Sequence, residues 1–244
     1  MAKAAPAEQL RLLDLQALDG KLKSLDKQAK TLRADPRLSQ LQGELSEAQA
    51  ALGQLSIELA DTQLELKRSE DDVAQVVSRM ERDEARLNAG GLSKDLMALQ
   101  ADLASLAKRR SDLEDAELEV MERLEEVSAR RATRQSVVQG LEGQLDLVQK
   151  EVDASLADVL AEHQSTQAKR SALAESFEDG LLAVYERTLE RRGIGAARLF
   201  HGTSEGSGMQ LSPGDLADIS KAAADEIVFC PDSGCILVRS SEWT

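Results

Sequence analysis

The chain has 244 residues, a formal net charge of −14, 30% charged residues and only 2% aromatics. A globular core usually draws on Phe, Tyr and Trp, which bury the largest areas, so this composition speaks against an ordinary globular domain and for long helices rich in Leu, Ala and charged residues. The acidic balance argues against broad binding to nucleic-acid backbones, and no run of about 18 apolar residues could form a membrane span.

The opening stretch, MAKAAPAEQLRLLDLQ, has no apolar signal-peptide core. Together with only two cysteines this points to a cytoplasmic protein. A stripe begins at once with Leu15, Leu18, Leu22, Leu25 and Leu32. Leu38, Leu41, Leu45, Ala48, Leu52, Leu55 and Leu59 then step by three and four, and Thr62, Leu66, Ser69, Val73, Val76, Met80, Asp83 and Leu87 continue the stepping. The run well exceeds the three or four heptads that identify a coiled coil. Pro36, in RADPRLS, lacks an N–H and should break this first arm.

The stripe stops at LNAGGLSKD, residues 87–95. Asn and Gly tolerate the left-handed conformation of a helix C-cap, and Ser93 can cap the helix that follows. Leu92, Leu96, Leu99, Leu103, Leu106, Arg110 and Leu113 restart the stripe. Val120, Leu124, Val127, Val137, Leu141, Leu145 and Val148 extend it. Two long striped helices joined by a short loop pack as antiparallel neighbours. Spin labels at positions 72 and 109 should therefore lie close together, not the roughly 55 Å apart that one continuous helix would impose. If residue i lies near residue 181 − i, Lys108–Arg110 face Glu70–Asp72, and Arg134 faces Glu47. Near Pro36 the opposite arm carries Gly140 and Gly143, so both arms are expected to weaken at one level.

All five aromatics lie at or after Phe177. The expected domains are therefore 1–176, a hairpin with its tip at 88–92 and a break near 36, and 177–244, a short helix and a small module. The fold class is mainly α: a long antiparallel two-helix coiled-coil hairpin plus a small C-terminal zinc-ribbon-like α+β module. The module helix should run from about 177 to 192, with Arg191 and Arg192 favourably placed at its C-terminus. GTSEGSG, 202–208, reads as a flexible turn. DEIVFC and CILVRS read as a strand pair around Pro231–Gly234, a good turn sequence. His163 and His201 stand apart from any acid–base pattern, and the chain holds no G-x-S-x-G, P-loop or dinucleotide fingerprint, so no enzyme is expected.

Three stretches carry a resemblance: LLDLQALDGKLKSL (12–25), KDLMALQADLASLAKRRSDLEDAELEVMERLEE (94–126) and MQLSPGDLADISKAAADEIVFCPDSGCILV (209–238). They resemble a bacterial family with a coiled-coil hairpin and a C-terminal C4-type zinc ribbon, whose members are described as candidate nucleic-acid-binding proteins. The resemblance implies a hairpin carrying a ribbon of short strands and one helix, with a role as an RNA-binding or protein-binding adaptor. It also implies four zinc thiolates, which fall here on Ser204, Ser207, Cys230 and Ser233. Serine is a poor zinc ligand, and His201 and Cys235 are the candidate substitutes. This donor count argues against zinc or any other cofactor, and leaves Cys230 and Cys235 free, disulfide-bonded or metal-bound. The module should stay folded in chelator, on a core drawn from Phe200, Ile227, Val228, Phe229, Ile236, Leu237, Val238 and Trp243.

The resulting expectation is a non-enzymatic adaptor that binds a protein partner through the hairpin and the C-terminal module. The alternative is an RNA-binding regulator, with Arg191, Arg192, Arg198 and Arg239 as its binding candidates. No membrane association is expected, and exposed stripe residues leave a homodimer open.

Overall fold

A computed structural model describes residues 3–240 and 243. It divides into two compact units, residues 36–150 and residues 1–35 with 151–244. The compositional boundary at 176/177 falls inside the second of these.

In the unit of residues 36–150, α2 (Pro36–Asn88) runs to the loop, and α3 (Ser93–Ala174) returns from it, contributing its residues 93–150. Pro36 is tolerated as the first residue of α2, where its missing N–H would have no helical partner anyway. The loop takes a left-handed residue at Gly90 (φ 78°), and the Gly90 N–H donates to Leu87 O at 3.2 Å. Ala48, Thr62, Val76 and Asp83 are buried on α2, and Leu106, Val120 and Val127 on α3, all on the expected stripes. Beyond Val127 the stripe shifts: Val138 is buried at 3% exposure, whereas the expected Val137 is 42% exposed. Arg131 and Gln135 are half-buried between them. The spacing there is four, four, three, an eleven-residue step that keeps pace with 3.6 residues per turn better than a strict heptad.

The ion pairs across the arms also differ from expectation. Arg123 meets Glu65 at 2.7 Å and Arg130 meets Glu58 at 3.3 Å. Each Arg lies one heptad further along α3 than the loop-centred rule places it. Helical side chains lean toward the N-terminus of their own helix. The Arg on α3 therefore reaches toward the loop and the Glu on α2 reaches away from it, so partners at different levels meet. Arg110, expected opposite Glu70–Asp72, instead pairs within its own helix with Glu114 at 2.6 Å. α3 continues unbroken through Gly140 and Gly143. A helical glycine costs about 1 kcal/mol but keeps its N–H, unlike proline.

In the other unit, α1 (Pro6–Arg33) and residues 151–174 of α3 are joined by α4 (Asp179–Arg192) and a five-stranded sheet. Ala34 caps α1 directly before Asp35 and Pro36. The strands are β1 (Ala196–Phe200), β2 (Thr203–Ser204), β3 (Met209–Gln210), β4 (Val228–Phe229) and β5 (Ile236–Arg239), with α5 (Pro213–Lys221) between β3 and β4. Their order is β3-β2-β1-β5-β4, and β1 pairs in parallel with β5. The glycine-rich stretch expected to be a loose turn forms β2 and leads into β3, with Ser204 opposite Met209.

Alternation along β5 builds two apolar clusters. Ile236 and Val238 join Leu12, Leu15, Phe177, Leu181 and Tyr185. Leu237 and Cys235 join Leu199, Leu211, Ile219 and Cys230, with Trp243 packed alongside. Phe229 was expected in the core but is 47% exposed. It pairs with Ile236 on β4, the outermost strand, where no further strand covers it.

A polar network ties the helices together. The Tyr185 hydroxyl donates to Asp19 Oδ2 at 2.7 Å. Arg170 donates to Asp19 at 3.0 Å and also pairs with Glu186. Gln16 Oε1 accepts from the Gly195 and Ala196 N–H groups at 2.6 and 3.2 Å, which fixes the start of β1 against α1. Burial, then the bond to Asp19, push the Tyr185 hydroxyl well above its usual pKa. Burial works against the Arg170 charge, but the bonds to Asp19 and Glu186 outweigh it and raise its pKa. A Cβ at Gly195 would overlap the Tyr185 ring, so this close approach requires glycine.

Candidate functional site

The four positions that correspond to a C4 ribbon do come together. β2 supplies Ser204, the turn after it Ser207, the end of β4 Cys230 and the β4–β5 turn Ser233. The Cys230 thiol lies 4.0 Å from Ser207 Oγ and accepts from the Ser233 N–H at 3.5 Å. Ser233 Oγ donates to Cys235 Sγ at 3.1 Å. Ser204 is completely buried, and its hydroxyl has no partner of good hydrogen-bond geometry. Burial pushes the Cys230 thiol up, but its contacts with the Ser204 and Ser233 side chains outweigh burial and hold it below its usual pKa. At Cys235 burial dominates and raises the pKa.

The turn keeps a tight backbone. Gly234 is left-handed (φ 71°), and its N–H donates to Cys230 O at 2.9 Å. A Cβ at Gly206 would sit 2.7 Å from Cys235 Sγ, so sulfur and backbone already fill the space there. Both cysteines are free and buried. One thiol with three hydroxyls does not match zinc, which takes thiolate, imidazole or carboxylate. His201 does not supply a substitute: it is exposed, left-handed (φ 45°) and edge-on to Phe200. Among the described residues no three His, Cys, Asp or Glu side chains are grouped to hold a metal ion.

The arginine candidates separate. Arg239 donates to the backbone oxygens of Ile219, Ala222, Ala223, Ala224 and Glu226, so its guanidinium secures the chain after α5. Arg198 pairs with Glu205 at 2.7 Å and stacks on Phe200 at 4.5 Å. Arg191 and Arg192 line a cleft of about 290 Å³ with Arg187, Thr188, Val184 and Phe229. Sequence reasoning missed Arg187. Its signal was the spacing of four from Arg191, which places both on one helix face.

The fold and the site together define a coiled-coil hairpin protein with a ribbon-like C-terminal module. The chain belongs to the CT398-like coiled-coil hairpin family, whose domain matches residues 15–193, and a C4-type zinc ribbon domain matches residues 203–237. Uncharacterised proteins of two Mycobacterium tuberculosis strains, H37Rv and CDC 1551, are each 34% identical over 238 residues, covering 97% of both chains. A solved Mycobacterium smegmatis structure is 31% identical with a TM-score of 0.86, covering 97% of this chain and 100% of the other. The structure of CT398 from Chlamydia trachomatis shares the fold at 19% identity and a TM-score of 0.65, covering 95% of this chain and 97% of its own. Among the described residues no helix is long and apolar enough to cross a membrane.

Proposed function

We propose that this chain is a non-enzymatic adaptor that engages a protein partner through the hairpin and the C-terminal module. The observation that carries this reading lies on α2. Ile57 and Leu64 sit one heptad apart on the face opposite the buried stripe, 65% and 51% exposed. Nothing in a two-helix hairpin needs apolar residues there, whereas a partner helix would cover them. The acidic net charge favours a protein partner over an extended nucleic acid.

The test compares wild type with an Ile57→Glu/Leu64→Glu variant in affinity capture from a native lysate, with and without nuclease. The expected result is a nuclease-resistant protein partner that the variant loses. Partners released by nuclease, together with salt-dependent retention of total RNA on filters, would shift the reading to RNA binding.

A further inference from the structure

The cleft beside Phe229 has no role in the fold described so far. Arg187, Arg191 and Arg192 are all exposed on α4, and none has a hydrogen-bond or ion-pair partner among the described residues. Arg192 is nonetheless held in place: a Cβ at Gly234 would touch its Nε at 2.9 Å, so the guanidinium lies against the β4–β5 turn. Across the cleft stands the half-exposed Phe229 ring.

The backbone of β4 adds a second kind of recognition. The Cys230 N–H donates to Cys235 O, which makes that pair hydrogen-bonded across the β4–β5 ladder. The neighbouring pair, Phe229 with Ile236, is therefore the non-hydrogen-bonded one. The Ile236 N–H indeed turns the other way, to Gly195 O at 3.0 Å. The Phe229 N–H and C=O thus face the free edge of the outermost strand. An exposed edge is a template for an added extended segment, and guanidinium groups hold carboxylates in paired hydrogen bonds.

We propose that the cleft between α4 and β4 binds a short, extended, acidic peptide segment of a protein partner. Its carboxylates meet Arg187, Arg191 and Arg192, one apolar side chain lies on Phe229, and its backbone pairs with the edge at Phe229. The proposal rests on the adaptor reading and names the chemistry of one contact. A long polyanion suits the site less well. Glu186, Glu190 and Asp232 flank the cleft in sequence, and a single exposed ring gives only one base a stacking surface.

The test is fluorescence anisotropy of the full chain with a labelled synthetic peptide alternating Asp or Glu with Leu or Val. A single-stranded RNA oligonucleotide of similar charge serves as competitor. The expected result is salt-dependent peptide binding, weakened at least about tenfold by Arg187→Glu/Arg191→Glu. Phe229→Ala weakens it less, and both Arg109→Glu and the Ile57→Glu/Leu64→Glu variant leave it unchanged. That last variant separates failure of the cleft from failure of the adaptor reading, because the peptide assay needs no partner. If charge reversal disturbs the circular dichroism spectrum, Arg187→Gln/Arg191→Gln replaces it. Absent peptide binding, or binding indifferent to the arginine changes, overturns the proposal. So does stronger binding of the RNA, and so does an oligomer that dissociates on charge reversal, which would make a second copy the occupant.

Discussion

The two units are stabilised in different ways. In residues 36–150 the buried side chains are few and mostly small or β-branched, such as Ala48, Val76, Val120 and Val127, and the pairs across the arms are exposed. In residues 1–35 and 151–244, Leu12, Leu15, Tyr185, Leu199, Ile236, Leu237 and Val238 have essentially no exposure, and a polar network runs among them. A periodic seam distributes stability thinly along its length, while a two-sided core concentrates it in a few side chains. Substitutions in the hairpin should therefore cost little each, and those in the core a great deal.

The largest change should come from rebuilding the metal site. Ser204→Cys/Ser207→Cys/Ser233→Cys places three thiols around Cys230 to make a set of four, and structural zinc binds such sets with apparent free energies of about 10–16 kcal/mol. Metal analysis should find one zinc per chain in the variant. Its chelator-sensitive stabilisation should appear in Trp243 fluorescence, which reports only on the unit containing residues 151–244. A variant that takes up no zinc would mean that the four positions do not hold ligand geometry.

Next comes Tyr185→Ala. It empties a fully buried ring site and removes the hydroxyl that serves Asp19, for an expected loss of about 3–5 kcal/mol in urea denaturation followed at Trp243. A loss below about 1 kcal/mol would dissolve the contrast between the units. Val127→Ala in the seam removes two methyl groups' worth of burial, about 1–2 kcal/mol. It should move the helical signal at 222 nm more than the Trp243 transition. Smallest is Arg130→Ala: the exposed pair with Glu58 should change stability by less than about 1 kcal/mol, and by still less at high salt.

The hairpin was legible in the sequence because a repeat states its structure many times over. The stop at Asn88 and most of the stripe follow from periodicity and capping alone, whereas Ser93, expected as the cap, is the first residue of α3 and Leu92 O accepts its first helical bond. The stripe failed where it changed step, at Val137, and also at Leu92 beside the loop and at Arg110, which are exposed. The polar network of Gln16, Asp19, Arg170 and Tyr185 was not legible. Its members lie on three helices, and nothing local distinguishes them from surface residues. Strand β1 was missed because AARLF has little β propensity, and its partner β5 lies far along the chain. At the candidate site the meeting of Ser204, Ser207, Cys230 and Ser233 was readable only through family resemblance. The exposure of Phe229 depends on strand order, which no local pattern encodes.

The packing of α1 against β5 has a consequence for synthesis. Leu12 and Leu15, near the start of the chain, pack in one cluster with Ile236 and Val238 near its end. A ribosome adding about 5–20 residues per second delivers these partners roughly 11–45 s apart. Residues 36–150 emerge within that interval with all their own contacts already made, so the hairpin can form during translation. The N-terminal helix meanwhile waits with an apolar face open to solvent until the last strand arrives, which makes the nascent chain at that stage a natural client for a chaperone.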